Sequence, residues 1–230
     1  MSEVRIDTYK ENSLLTKWVV RLLKLQILVA VISLFSNYLE YNLLTEFQNE
    51  LFASHEEFMQ KVDASDDRQS FVGIAYLLVF IVSGILILKW LHRANYNSRQ
   101  LGAKNMEFTP GWSIGYYFVP IVNLWKPYQA MKELWKTSVN PTDWHNQITP
   151  GLLPQWWGLW IVTGLLGRII FKLSKNAESL DAMIQLNLVN QLSDVLEIPL
   201  VIVLIKIVQS IHVMQISHHK KMHNESMLVS

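Results

Sequence analysis

Phe71 to Leu88 contains no charged side chain, and four further blocks of the chain are predominantly apolar. They run from about Trp18 to Leu39, Phe108 to Leu124, Leu152 to Phe171 and Val195 to Ile216. A soluble domain scatters its apolar residues in short periodic runs. Blocks of this length instead match the thickness of a bilayer, where the backbone must satisfy its own hydrogen bonds. The expected fold is therefore all-α. It is a polytopic transmembrane helical bundle forming one integral membrane domain over residues 1–230.

The third block differs from the rest. Phe108 to Trp125 is uncharged, yet it holds Pro110, Gly111, Gly115 and Pro120, with Pro127 just beyond. Broken backbone at membrane depth is tolerated where protein or a hydrated cavity satisfies it. Residues 108–138 are therefore expected to form a re-entrant or interfacial broken helix. A short helix is predicted near Trp112–Val119, a break at Pro120–Leu124, and an amphipathic helix from Pro127 to Thr137. Met131, Leu134 and Trp135 should face inward on it, and Lys132 and Lys136 outward. The four spans are then expected at about 18–39, 71–91, 152–171 and 195–216.

Charge supports that count. With the broken block entering and leaving on one side, Lys and Arg divide fifteen inside to five outside; five crossings give twelve to eight. The positive-inside rule prefers the first arrangement, with both termini cytoplasmic in a cell membrane. The opening MSEVRIDTYKENS lacks the apolar core and cleavage site of a secretory signal peptide. Segment 40–70 holds eight acids and two bases and is placed extracytoplasmically. Its Phe47, Leu51, Phe58 and Val62 fall near helical spacing, so a helix is expected to continue the first span. Leu180, Ile184, Leu188 and Leu192 repeat at four-residue steps, and helices over 40–62 and 178–193 should meet as a small cap.

Around the third block the chain reads Arg93, Asn95 and Asn97, then Leu101-Gly102-Ala103 and Thr109-Pro110-Gly111-Trp112. It continues through Phe118-Val119-Pro120, Asn123-Leu124-Trp125-Lys126-Pro127-Tyr128 and Glu133-Leu134-Trp135, with Trp156-Trp157 opening a later span. Over about 70–215 this pattern resembles the domain of unknown function 4328 family of membrane proteins, found mainly in bacteria. The resemblance implies a multi-span protein of the bacterial inner membrane and brings no activity, substrate or cofactor.

The candidate polar site comprises Arg93, Asn95, Asn97, Pro120, Asn123, Pro127 and Lys206. Pro120 and Pro127 cannot donate to the carbonyls of Tyr116 and Asn123. The polar helix end at residues 93–99 is expected to dock there, either lining a cavity or locking the kinks. Lys206, mid-block, should face the protein interior, because a charge at that depth costs about 2.5–3.5 kcal/mol. A register shifted toward Ser179 would instead let it snorkel. His218, His219 and His223 belong to a basic tail read as solvated rather than as a metal site.

No cysteine is present, and no zinc-binding His pair, nucleophile elbow or phosphate loop occurs. No catalytic residue, cofactor or metal is therefore assigned. A net charge of +1 gives no reason to expect nucleic acid. The expected partners are membrane lipids and a protein or second copy of the chain. The expected function is a non-catalytic scaffold, subunit or sensor. The alternative is a small transporter or channel with its site at 108–138.

Overall fold

A computed structural model describes residues 9–49 and 54–229. Among these the chain is all-helical. Six α-helices follow in order: α1 (Ser13–Gln48), α2 (His55–Gln100), α3 (Trp112–Gly115), α4 (Lys126–Val139), α5 (Leu152–Ser174) and α6 (Leu180–Val229). Short 3-10 turns at Tyr116–Phe118 and Val122–Leu124 lie between α3 and α4. Helices α1, α2, α5 and α6 are long and apolar enough to cross a membrane.

These helices outrun the apolar blocks read from sequence. α1 continues nine residues beyond Leu39, to Gln48, and α2 starts at His55, well before Phe71. The expected single helix over 40–62 is thus two helix ends. Leu51 lies outside the described residues. Polar residues have adequate helix propensity, so both helices run past their apolar blocks into the polar segment.

The chain divides into two compact units. One comprises Met1–Arg21, Ser83–Trp157 and Val203–Ser230; the other comprises Leu22–Val82 and Gly158–Ile202. In the first, Trp90, Leu91 and Ala94 of α2 are buried, as are Met131 and Leu134 of α4 and Ile207, Val208 and Ile211 of α6. Trp90 donates its indole N–H to Thr16 Oγ1 at 3.0 Å, satisfying the one polar atom of a fully buried ring. In the second unit, Leu23, Val29, Ala30, Val72 and Val201 are buried. Its remaining buried side chains are largely polar.

The broken block folds as its prolines and glycines require. α3 has four residues, α4 has fourteen, and neither reaches spanning length. Met131 and Leu134 are buried and Lys132 is exposed, as the amphipathic pattern predicts. Ile121 adopts φ 67°, and the N–H of Val122 bonds to the Pro120 carbonyl at 2.7 Å. This is a γ-turn with positive φ, a strained geometry for a β-branched residue.

Within the second unit, the expected cap forms. Gln48 Nε2 donates to Asp181 Oδ1 at 3.3 Å, and Asn187 Nδ2 donates to Glu40 Oε2 at 2.8 Å. A cavity of about 470 Å³ lies between these helix ends, lined by Phe47, Val62 and Met183 among others.

Candidate functional site

In the first unit, α2 ends in a Schellman arrangement. Gly102 takes φ 103°, its N–H reaches the Arg99 carbonyl, and the N–H of Ala103 reaches the Ser98 carbonyl. This turn points the following loop back along the helix end. Asn95 Nδ2 and Arg99 Nη2 then both donate to the Phe108 carbonyl, at 3.0 and 2.8 Å. Glu133 of α4 accepts the N–H groups of Glu107 and Phe108, at 2.7 and 3.1 Å. Burial pushes the Glu133 carboxyl above its ordinary range, while those two N–H groups pull it down. Lys126 pairs with Glu107 at 2.7 Å. The loop before the broken block is thus held from both sides.

The polar helix end therefore docks on Phe108, and not on the break at Pro120–Leu124. Asn97 accepts from the N–H of Lys10 at 3.0 Å and donates to its carbonyl at 2.8 Å, while Arg93 donates to the Glu11 carbonyl. Both residues thus fasten the N-terminal segment. The break is held by its own turn and by α5: the Asn123 N–H reaches the Val119 carbonyl, and the Trp157 indole donates to the Leu124 carbonyl at 3.1 Å. Pro120 is exposed at the γ-turn. Pro127 sits in the first turn of α4, where a missing N–H costs nothing. It starts a helix instead of breaking one.

Lys206 is exposed on α6, which overturns its expected inward orientation. The buried stripe there is Ile207, Val208 and Ile211, and Lys206 lies off it. Behind that stripe Gln215 is buried and donates to the Ala94 carbonyl and to Ser98 Oγ, at 2.9 and 3.1 Å. The tail is helical, and in it His218 meets the Val139 carbonyl and His219 stacks on Tyr9.

The second unit holds a cluster that the sequence reading passed over. Asp194 and Glu197 lie three residues apart on α6, hence on one face, and each is only 6% exposed. Asp194 Oδ2 accepts from Ser33 Oγ and from Asn37 Nδ2, both at 2.9 Å. Glu197 accepts from Gln26 Nε2 at 2.6 Å and from the Tyr76 hydroxyl. Nearby, Gln69 Nε2 and Asn187 Nδ2 converge on Glu40 Oε2. Every donor to these three carboxylates is neutral. Among the described residues no Lys or Arg pairs with them within 4.0 Å.

An open cavity of about 690 Å³ adjoins this cluster. Asp194, Glu197, Gln26 and Tyr76 line it, together with Phe80 and Trp160. The sequence carried a signal for it. Glu197 interrupts the fifth apolar block two residues before Pro199, and Gln26, Ser33 and Asn37 recur inside the first. Pro199 leaves the Val195 carbonyl without its intrahelical donor.

An all-helical chain with four membrane-length apolar helices and buried carboxylates on one of them points to the class of multi-pass membrane proteins. The family described as Domain of unknown function (DUF4328) matches over residues 55–213, and the chain belongs to it. No curated protein and no solved structure matches the chain.

Proposed function

We propose that this chain is a non-catalytic, multi-pass membrane protein that binds a small solute, as a transporter does, at the cavity beside Asp194 and Glu197. One observation carries the reading. Two carboxylates are buried within apolar, membrane-length helices with only neutral hydrogen-bond partners, beside a space large enough for a ligand. Ionisable groups in membrane segments are expensive, and where they occur they commonly mark solute or ion pathways. A purely structural network satisfies itself at lower cost with amides and hydroxyls. Pockets of about 300–1,000 Å³ are typical of small-molecule sites.

This reading moves the site of the transporter hypothesis away from 108–138. Hydrogen-bonded turns and the Glu133 clamp favour a structural lock at the broken block. The scaffold reading, with a protein partner or second copy, predicts no dependence on the cavity. Lipid contact follows from the four apolar helices. Four crossings put both termini on one side, and the fifteen-to-five division of Lys and Arg favours the cytoplasm.

The test is purification from native membrane in mild detergent, followed by mass spectrometry of bound small molecules and proteins. A small molecule retained by the wild type and lost from Glu197→Gln supports solute binding. Unchanged protein partners in both, with no cavity-dependent small molecule, favour the scaffold.

A further inference from the structure

We infer that the cavity binds a protonated amine carrying an apolar or aromatic body, with its ammonium group at Asp194. This rests on the solute-binding reading above and names the class of solute.

Both oxygens of Glu197 are occupied, by Gln26 and by Tyr76. Asp194 receives both of its hydrogen bonds on Oδ2. Its Oδ1 accepts none, although the residue is 94% buried, as its 6% exposure gives, and lines the cavity. A carboxylate oxygen that lacks a protein donor and opens on the cavity offers an acceptor to a cationic N–H. Glu197, one turn away on the same face, adds a second negative charge.

The alternatives fit less well. An anion would meet two carboxylates. A neutral solute would leave Asp194 uncompensated, which is costly for a buried charge. A bare divalent cation takes about six to eight oxygen ligands. Among the described residues no group of three or more His, Asp or Glu side chains is assembled to hold a metal.

The rest of the wall suits an apolar body. Tyr76, Phe80 and Trp160 present aromatic surface to the cavity. Gly73, Gly164 and Gly167 also line it, and a Cβ built on any of them meets no atom within 4 Å. Missing side chains thus leave open space at the cavity wall, into which a Cβ would extend without contact. Such an amine reaches the cavity either as a free amphiphilic amine or as the headgroup of an ethanolamine phospholipid. Both present the same ammonium donors.

The test uses the full chain in maltoside detergent with dansylcadaverine, a fluorescent primary amine. The anilinonaphthalene sulfonate anion serves as the control probe. Saturable binding of the amine is expected, weakened by roughly tenfold or more in Asp194→Asn. Gly164→Leu should abolish it by filling the cavity. Gly158→Leu, on the same helix but off the cavity and equally free of conflict, should leave it unchanged. Thermal unfolding of each variant verifies folding, and Gly164→Leu carries the test if Asp194→Asn does not fold. Native mass spectrometry with added phosphatidylethanolamine or phosphatidylglycerol separates the sources. Ethanolamine lipid retained by the wild type and lost from Gly164→Leu identifies the headgroup. Dansylcadaverine binding without that retention identifies a free amine.

Binding of the anion probe equal to that of the amine, both unaffected by Asp194→Asn, would overturn the inference. So would the lack of any saturable amine or ethanolamine lipid binding. If native co-purification then still yields a neutral or anionic solute that depends on Glu197, the solute-binding reading stands and only the amine assignment falls. If it yields none, both fall.

Discussion

Glu133 shows how one side chain positions a segment. Its two oxygens hold consecutive backbone N–H groups, at Glu107 and Phe108, as the loop passes from α2 toward the broken block. Removing it strands those donors, so Glu133→Ala should cost about 2–3 kcal/mol in unfolding free energy. Its pH dependence has a definite sign. Burial raises the folded-state carboxyl above its ordinary 4.5. The folded state then binds the proton more tightly than the unfolded chain. The contribution of this group to stability is full below the ordinary value and declines as pH rises through the raised one. Glu133→Gln should remove that decline from a series of thermal unfolding curves.

Gly102 is a second such position. An added Cβ would lie 3.8 Å from Thr142, an ordinary contact, so the penalty comes from φ 103° alone. Gly102→Ala should destabilise by about 1 kcal/mol, readable as a lowered Tm. Lys206 contributes the opposite lesson. Being exposed, Lys206→Leu should leave stability within about 0.5 kcal/mol of the wild type.

Among the elements, the α3–α4 hairpin has the least ordinary surface. Phe118 and Ile121 are each 72% exposed at its tip, and Trp112, Leu124 and Trp125 are exposed beside them. A water-facing hairpin would not carry so apolar a tip, whereas one dipping into the headgroup region would. The chain has no cysteine, so Ile121→Cys gives a unique site for an environment-sensitive dye. That dye should be quenched by lipids spin-labelled at shallow depth, and a dye at Asp143→Cys should not. Equal quenching at both positions would remove the hairpin from the membrane. The element's shape was legible in sequence, because Pro lacks the N–H of a regular helix at fixed places and Gly weakens the helix beside it. Its partners were not. Asn95 and Arg99 select the Phe108 carbonyl because the Gly102 turn brings it to them.

For the whole chain, four crossings would put the C-terminus and the α1–α2 connection on opposite sides of the membrane. Reporter fusions after Ser230 and in the connection between Gln48 and His55 should therefore give opposite signals, with the C-terminus cytoplasmic. An external C-terminus would reject the proposed orientation.

The sequence alone determined the secondary-structure class, the number of membrane-length apolar helices, the break at Pro120–Leu124 and the burial of Met131 and Leu134 on α4, though Trp135 is only half-buried. Each follows from local physics: apolar length, missing N–H groups and helical periodicity act over a few turns of one segment. The site was decided elsewhere. Asp194, Glu197, Ser33, Asn37, Gln26 and Tyr76 come from three segments more than thirty residues apart, and each read singly looks like a polar interruption or a segment boundary. Only tertiary packing says which polar residues meet, which oxygen remains unpaired, and that Lys206 is exposed. A helical face has no preferred partner until neighbouring helices are in place. Burial, which turns a carboxylate into a site, is a property of those neighbours.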